Sequence, residues 1–185
     1  MTENIIIAGA GGQGIMLLGK ILAEAAMREN RHVTWLPAYG AEVRGGTSYC
    51  MVIISDQQIG TPIIDQADSA IIMNEPSFNK FAAKLLRKGL CVVNSSLVQK
   101  ETSANSQSAL RLRLVQYPFT DIARDLGNIK VANVVALGCY SAQHKIVNPE
   151  TFLKVIEEIA PPDRQDLVEI NKAAFLKGMK LDERR

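Results

Sequence analysis

The chain has 185 residues, the size of one ordinary domain with a substantial core. Apolar residues make up 47% and charged residues 22%, proportions that exclude a disordered or fibrous chain. The formal net charge is only +2 and the charges are scattered, so nothing in the sequence tracks a nucleic-acid backbone.

The opening MTENIIIAGAGGQG has no basic stretch ahead of its apolar run, unlike a secretory leader, and no apolar stretch reaches the ~18 residues of a membrane span. A cytoplasmic protein without membrane contact is expected. Asn4 to Ala8 reads as a short buried strand. Gln13 to Asn30 follows as a helix, with Ile15, Leu18, Leu22 and Ala25 on one face. His32–Leu36 and Tyr49–Ser55 read as a second and a third strand around the glycine-rich loop PAYGAEVRGGTS (37–48). Ser69–Met73 and Leu90–Asn94 are apolar runs flanking a helical stretch from Ser77 to Arg87, a β-α-β unit.

Gln99–Ser108 is the most polar stretch and reads as an exposed connection, and Arg111–Tyr117 alternates like a half-exposed strand. The last third is helical. Val131–Gln143 is apolar on nearly every side, as in a buried helix. Asn148-Pro149 suits a cap and first turn, with Phe152, Val155, Ile156 and Ile159 on one face of the helix that follows. Pro161-Pro162 stops that helix, and Asp163 can cap a final one carrying Leu167, Ile170, Ala174 and Phe175 on one side. The reading is a single α/β domain over 1–185, a Rossmann-like doubly wound fold with a mostly parallel sheet and a helical C-terminal third.

The stretch AGAGGQGIM places glycines at 9, 11 and 14 directly after the first strand. Gly9 permits the tight turn, Gly11 lets backbone approach a phosphate, and Gly14 allows close helix–strand packing; amides at the helix start would face an anion. A close strand–helix junction with no ligand explains the same spacing. A nicotinamide site needs an acid at the end of the second strand to hold the ribose hydroxyls. Here that strand ends Trp35-Leu36-Pro37-Ala38, and the nearest acid, Glu42, lies several residues into the loop. In that loop Glu42 and Arg44 would point the same way and could pair, which on its own describes a surface ion pair.

Together, GAGGQGI (9–15), YGAEVRGG (39–46) and VIISDQQIGTPIIDQAD (52–68) closely resemble the gamma subunit of 2-oxoacid:ferredoxin oxidoreductases. The likeness covers most of the chain, including Asn133 in VANVVALG and the helical end. Its YGxExRGGT form resembles the 2-oxoglutarate branch; the pyruvate branch tends to carry ERRGAP and the indolepyruvate branch SQRGG. Ala41 and Val43 depart from that branch, which often has Pro and Met there.

The resemblance implies a non-autonomous subunit of an enzyme that decarboxylates a 2-oxoacid on thiamine diphosphate with Mg, sends electrons through iron-sulfur clusters to ferredoxin, and makes acyl-coenzyme A. It also implies alpha, beta and ferredoxin-like delta subunits as partners, with those cofactors held by partner chains and coenzyme A at the subunit interface. The sequence supports this division of labour. Clusters need about four thiolates each, and the chain has three scattered cysteines, Cys50, Cys91 and Cys139, read as core residues. No GDG…N stretch that would hold thiamine diphosphate is present.

The binding candidates are accordingly Gly9, Gly11, Gly12, Gln13, Gly14, Tyr39, Glu42, Arg44, Gly45 and Gly46, with no catalytic or metal-ligating residue. Arg44 would contact a phosphate or an interface carboxylate, oriented by Glu42. An interface role alone remains open for both. A stand-alone nucleotide-binding oxidoreductase, or the same subunit role in a pyruvate or branched-chain 2-oxoacid enzyme, are the competing readings, and the isolated chain could pair with itself. His32 and His144 lack ligand-spaced neighbours, Asp121 and Asp125 read as a solvated face, and Asp65 and Asp68 suit turns or caps. Ser95-Ser96 follows a strand end without a base nearby, and Asn133 reads as a core amide.

Overall fold

A computed structural model of the chain describes residues 1–39, 47–99, 111–160 and 165–181. Six strands form one sheet: β1 (Thr2–Ala10), β2 (His32–Tyr39), β3 (Thr47–Ser55), β4 (Ala67–Ile72), β5 (Leu85–Asn94) and β6 (Arg113–Tyr117). Their order is β2-β3-β1-β4-β5-β6. β1, β4, β5 and β6 pair in parallel, whereas β3 runs antiparallel to both β1 and β2. The sheet is thus mostly parallel, with one reversed strand. β2 continues through Pro37, Ala38 and Tyr39, and β3 begins at Thr47, so part of the expected loop is hairpin. Pro37 is tolerated because β2 is an edge strand, where one side of the ladder needs no donor.

The strand period of two splits the core. Ile5 and Ile7 of β1 face one side, and Ile6 and Ala8 the other. The first side carries α1 (Ile15–Arg28), α3 (Phe119–Asp125), α4 (Ala132–Gln143), α5 (Pro149–Ile159) and α6 (Gln165–Met179). The second is covered by α2 (Glu75–Phe81), whose Phe78 and Phe81 share one buried apolar cluster with Ile6, Ile72 and Val93. Helices on both faces make the fold doubly wound, as expected.

The predicted helix over Ser77–Arg87 is shorter than expected. α2 ends at Phe81, a 3-10 turn spans Ala82–Lys84, and the chain is already in β5 at Leu85. Asn148 caps α5 by accepting the Glu150 N–H at 3.0 Å, with Pro149 in the first turn. The expected stop at Pro161-Pro162 and cap at Asp163 lie outside the described residues, as does most of the polar connection 99–108.

α4 is buried along almost its whole length because α6 lies directly on it. A Cβ on Gly138 would sit 2.0 Å from the Phe175 carbonyl oxygen, and one on Gly178 would sit 2.1 Å from the Val135 carbonyl oxygen. Reciprocal glycines therefore let the two backbones touch.

At the end of the sheet where β1 begins, Glu3 is buried and accepts a 2.7 Å hydrogen bond from the Ser69 hydroxyl, with His144 Nε2 3.2 Å from its other oxygen. Asp68 lies within β4 and accepts from the Asn4 backbone and side-chain amides at 2.8 and 2.9 Å, so it ties β4 to β1 and does not serve the turn or cap expected of it. Burial, and then the nearby Glu3 carboxylate, push the Tyr140 phenol well above its ordinary value. All three cysteines are buried, and burial raises the thiols of Cys50 and Cys91 to about 12. Cys50 and Cys139 lie in the core on one face of the sheet and Cys91 in the core on the other, an arrangement that does not fit a cluster. Among the described residues no group of three or more histidine, cysteine, aspartate or glutamate side chains could hold a metal. None of the described helices is long and apolar enough to cross a membrane.

Gly138→Ala forces α4 and α6 apart and should cost about 3 kcal/mol in urea unfolding. The thiols give a pH test. Their folded values lie above the unfolded one, so this stabilisation is complete below about pH 9 and is lost as pH rises toward 12. The urea midpoint should fall over that range, and at pH 8 a disulfide reagent should label Cys50 and Cys91 only after unfolding.

Candidate functional site

The glycine turn lies where β1 ends. Ala10 accepts the Gln13 N–H at 3.2 Å, and Gly14, in the left-handed region at φ 71°, is the N-cap of α1 with no side chain to cap it. The first-turn amides of α1 thus form an uncapped positive helix end. A Cβ on Gly14 would meet the Asn133 amide nitrogen at 2.3 Å. Asn133 donates from that nitrogen to the Gly14 carbonyl at 3.0 Å, and its oxygen accepts the Val134 N–H at 3.0 Å. It is a core amide, tying α4 to the turn.

Gly9 is equally constrained, since a Cβ would sit 2.6 Å from Gln13 Oε1. Gln13 folds back: its oxygen accepts the Ala10 N–H at 2.6 Å and its nitrogen points at the Met73 carbonyl at 3.4 Å. Gly11 and Gly12 differ, because an added Cβ there meets nothing within 4 Å. Gly12 needs its φ of 90°; Gly11 has neither positive φ nor an internal neighbour to explain it.

In front of the turn is a cleft of about 380 Å³, lined by Gly12, Gln13, Met73, Leu97, Thr120, Arg124, Ile129, Lys130 and Ala132. These residues follow the carboxyl ends of β1, β4, β5 and β6, where open α/β sheets take ligands. Asn94, buried at the end of β5, donates to Met73 O at 3.2 Å and to Thr120 Oγ1 at 2.9 Å, fixing the back wall. Both charged residues in the lining, Arg124 and Lys130, are cationic. Asp121 pairs with Arg124 and accepts from the Ser96 hydroxyl at 2.7 Å; these hydrogen bonds, Ser96 first, lower its carboxyl below the ordinary value. The Ser96 hydroxyl is thus directed to Asp121.

The candidate residues Gly9, Gly11, Gly12, Gln13 and Gly14 lie at the end of β1 and in the turn between β1 and α1. Glu42, Arg44, Gly45 and Gly46 lie outside the described residues, and of Tyr39 only the backbone is described. The strand ends leading to them are close to the turn: Thr47 pairs with Ala10, Ser48 with Gly9, and Tyr39 with Ser48. β1 and β2 point the same way but are separated by β3, about 10 Å apart at the usual strand spacing. A dinucleotide fold needs its second parallel strand beside the first to place the ribose acid. Here the neighbour is reversed, and β2 ends in Leu-Pro-Ala-Tyr without an acid.

Sequence reasoning missed Arg124, Lys130, Thr120 and Asn94. A polar residue closing an apolar strand was the available signal for Asn94; the cations sit in ordinary helical context and announce nothing.

The family model for pyruvate ferredoxin/flavodoxin oxidoreductase matches residues 4–181. The ketoisovalerate oxidoreductase subunit VorA of Methanothermobacter thermautotrophicus is 42% identical over 139 residues, 75% of this chain and 28% of that protein. The chain thus spans little more than a quarter of that relative's length. The 2-oxoglutarate synthase subunit KorC of Methanocaldococcus jannaschii is 32% identical across 96% of this chain and 92% of its own. The crystal structure of a keto/oxoacid ferredoxin oxidoreductase gamma subunit from Geobacter sulfurreducens superposes with a TM-score of 0.83, 32% identity, and coverage of 97% of this chain and 95% of that one.

Asn133→Ala removes both hydrogen bonds of this amide and should cost about 1–3 kcal/mol, with faster amide exchange over residues 13–18. Asn133→Asp should not rescue it, because a carboxylate cannot donate to the Gly14 carbonyl.

Proposed function

The chain belongs to the pyruvate ferredoxin/flavodoxin oxidoreductase family, and on that footing we propose that it is the gamma subunit of a 2-oxoglutarate:ferredoxin oxidoreductase. In this reading it works with alpha, beta and ferredoxin-like delta subunits and ferredoxin. Its partners hold thiamine diphosphate, Mg and the iron-sulfur clusters and carry out decarboxylation and electron transfer. This chain completes the path by which coenzyme A reaches the acyl group. The near full-length likeness to a 2-oxoglutarate synthase subunit favours that substrate. The higher identity to a ketoisovalerate oxidoreductase subunit, over a shorter stretch, favours a branched-chain 2-oxoacid as the second reading.

The observation that carries the coenzyme A role is the open space before Gly11, with no internal contact to require glycine, beside a cleft whose charged lining is cationic. A phosphate there would meet uncapped helix amides, and Lys130 could neutralise it, Arg124 being already paired with Asp121. Gln13 would act as a brace, since its oxygen is already taken by Ala10. Arg44, with Glu42 orienting it, would add a fork for a second phosphate or an interface carboxylate, and Tyr39, Gly45 and Gly46 would line the same approach.

The test uses the assembled complex. Lys130→Ala should raise KM for coenzyme A about tenfold, as loss of a charge-assisted hydrogen bond does, and leave KM for the 2-oxoacid and assembly unchanged. Arg44→Ala should do the same if Arg44 binds ligand; lost assembly at unchanged coenzyme A affinity assigns it to the interface instead. Unchanged KM for coenzyme A in both variants rejects the ligand role. Comparing 2-oxoglutarate, 3-methyl-2-oxobutanoate and pyruvate as substrates decides between the two substrate readings.

A further inference from the structure

A second and larger cavity, about 740 Å³, opens away from the glycine turn, where α1, α4 and α6 end and α5 begins. Its lining has an apolar part, Ala142, Ile146, Val147, Pro149 and Met179, and a polar part, Glu29, Arg31, Ser141, Lys145 and Asn148. The volume is within the range of small-molecule sites, and an apolar wall with few polar groups is their usual composition.

Charge decides what it can hold. The Arg31 guanidinium is ion-paired with Asp56. The Glu29 carboxylate accepts the Asn148 N–H at 2.8 Å and the Thr151 hydroxyl at 2.7 Å, and is thereby held against the start of α5. Lys145 has no ion-pair or hydrogen-bond partner among the described residues, so it is the charged group of the lining left unengaged. Ser141, 3% exposed, also has a hydroxyl without a partner among the described residues.

We propose that this cavity is a binding site for a small organic carboxylate with an apolar body, its head group at Lys145 and its body against Ile146, Val147 and Met179. The site is separate from the glycine turn and does not rest on the coenzyme A reading.

Three probes with one body and different heads test it on the isotope-labelled full chain: 4-phenylbutyrate, 4-phenylbutylamine and 4-phenylbutan-1-ol, followed by amide resonances. The carboxylate should shift Ala142, Lys145, Ile146, Val147 and Met179 saturably and bind about tenfold more tightly than the alcohol, the effect of one hydrogen bond to a charged group. Lys145→Gln should abolish that preference. Lys84→Gln, on the far face of the sheet, should leave it intact. Equal binding of the three probes, shifts confined to other residues, or an unaltered preference in Lys145→Gln overturns the proposal.

Discussion

The hydrogen bond from Asn133 to the Gly14 carbonyl holds the rest in place. It closes a left-handed residue that no side chain could occupy, because the space of a Cβ is filled by the same amide nitrogen. One contact therefore sets the angle at which α1 leaves β1 and the position at which α4 starts. The cleft lies between those two helix starts, with Gly12 and Gln13 on one wall and Lys130 and Ala132 on the other. A buried amide with both ends satisfied is rigid, since leaving either end unpaired costs the desolvation of that group.

Rigidity at the turn is extended by two more amide side chains. Gln13 and Asn94 both donate to the Met73 carbonyl, from the ends of β1 and β5, with β4 between them. Three strand ends are thereby fixed to one acceptor. The backbone left over, around Gly11 and Gly12, is the part with open space in front of it. The same residues that determine the fold at this end thus determine which amides remain for a visitor.

Much of this was legible in the sequence. The apolar runs located the strand cores, the glycine spacing located the turn, and Asn148-Pro149 located the start of α5, because each is governed by local geometry. The direction of β3 was not legible: Tyr49–Ser55 has the same composition in either direction, and only pairing with both β1 and β2 reverses it. The early end of α2 was hidden for a similar reason, since Leu85 and Leu86 continue a helical pattern that the sheet overrides. Gln13 could be counted as a binding residue from its place in the motif, but its inward fold depends on Met73, sixty residues away. The cations of the cleft come from the segment after β6 and meet the turn only in three dimensions.

Because β2 and β3 are consecutive and pair antiparallel, they meet as neighbours at the sheet margin, with no crossover helix between them. A connection between adjacent antiparallel strands tolerates changes of length without rethreading a helix or disturbing the core. A change in such a connection is therefore absorbed at the margin, and the register of β1, β4, β5 and β6 is left as it is.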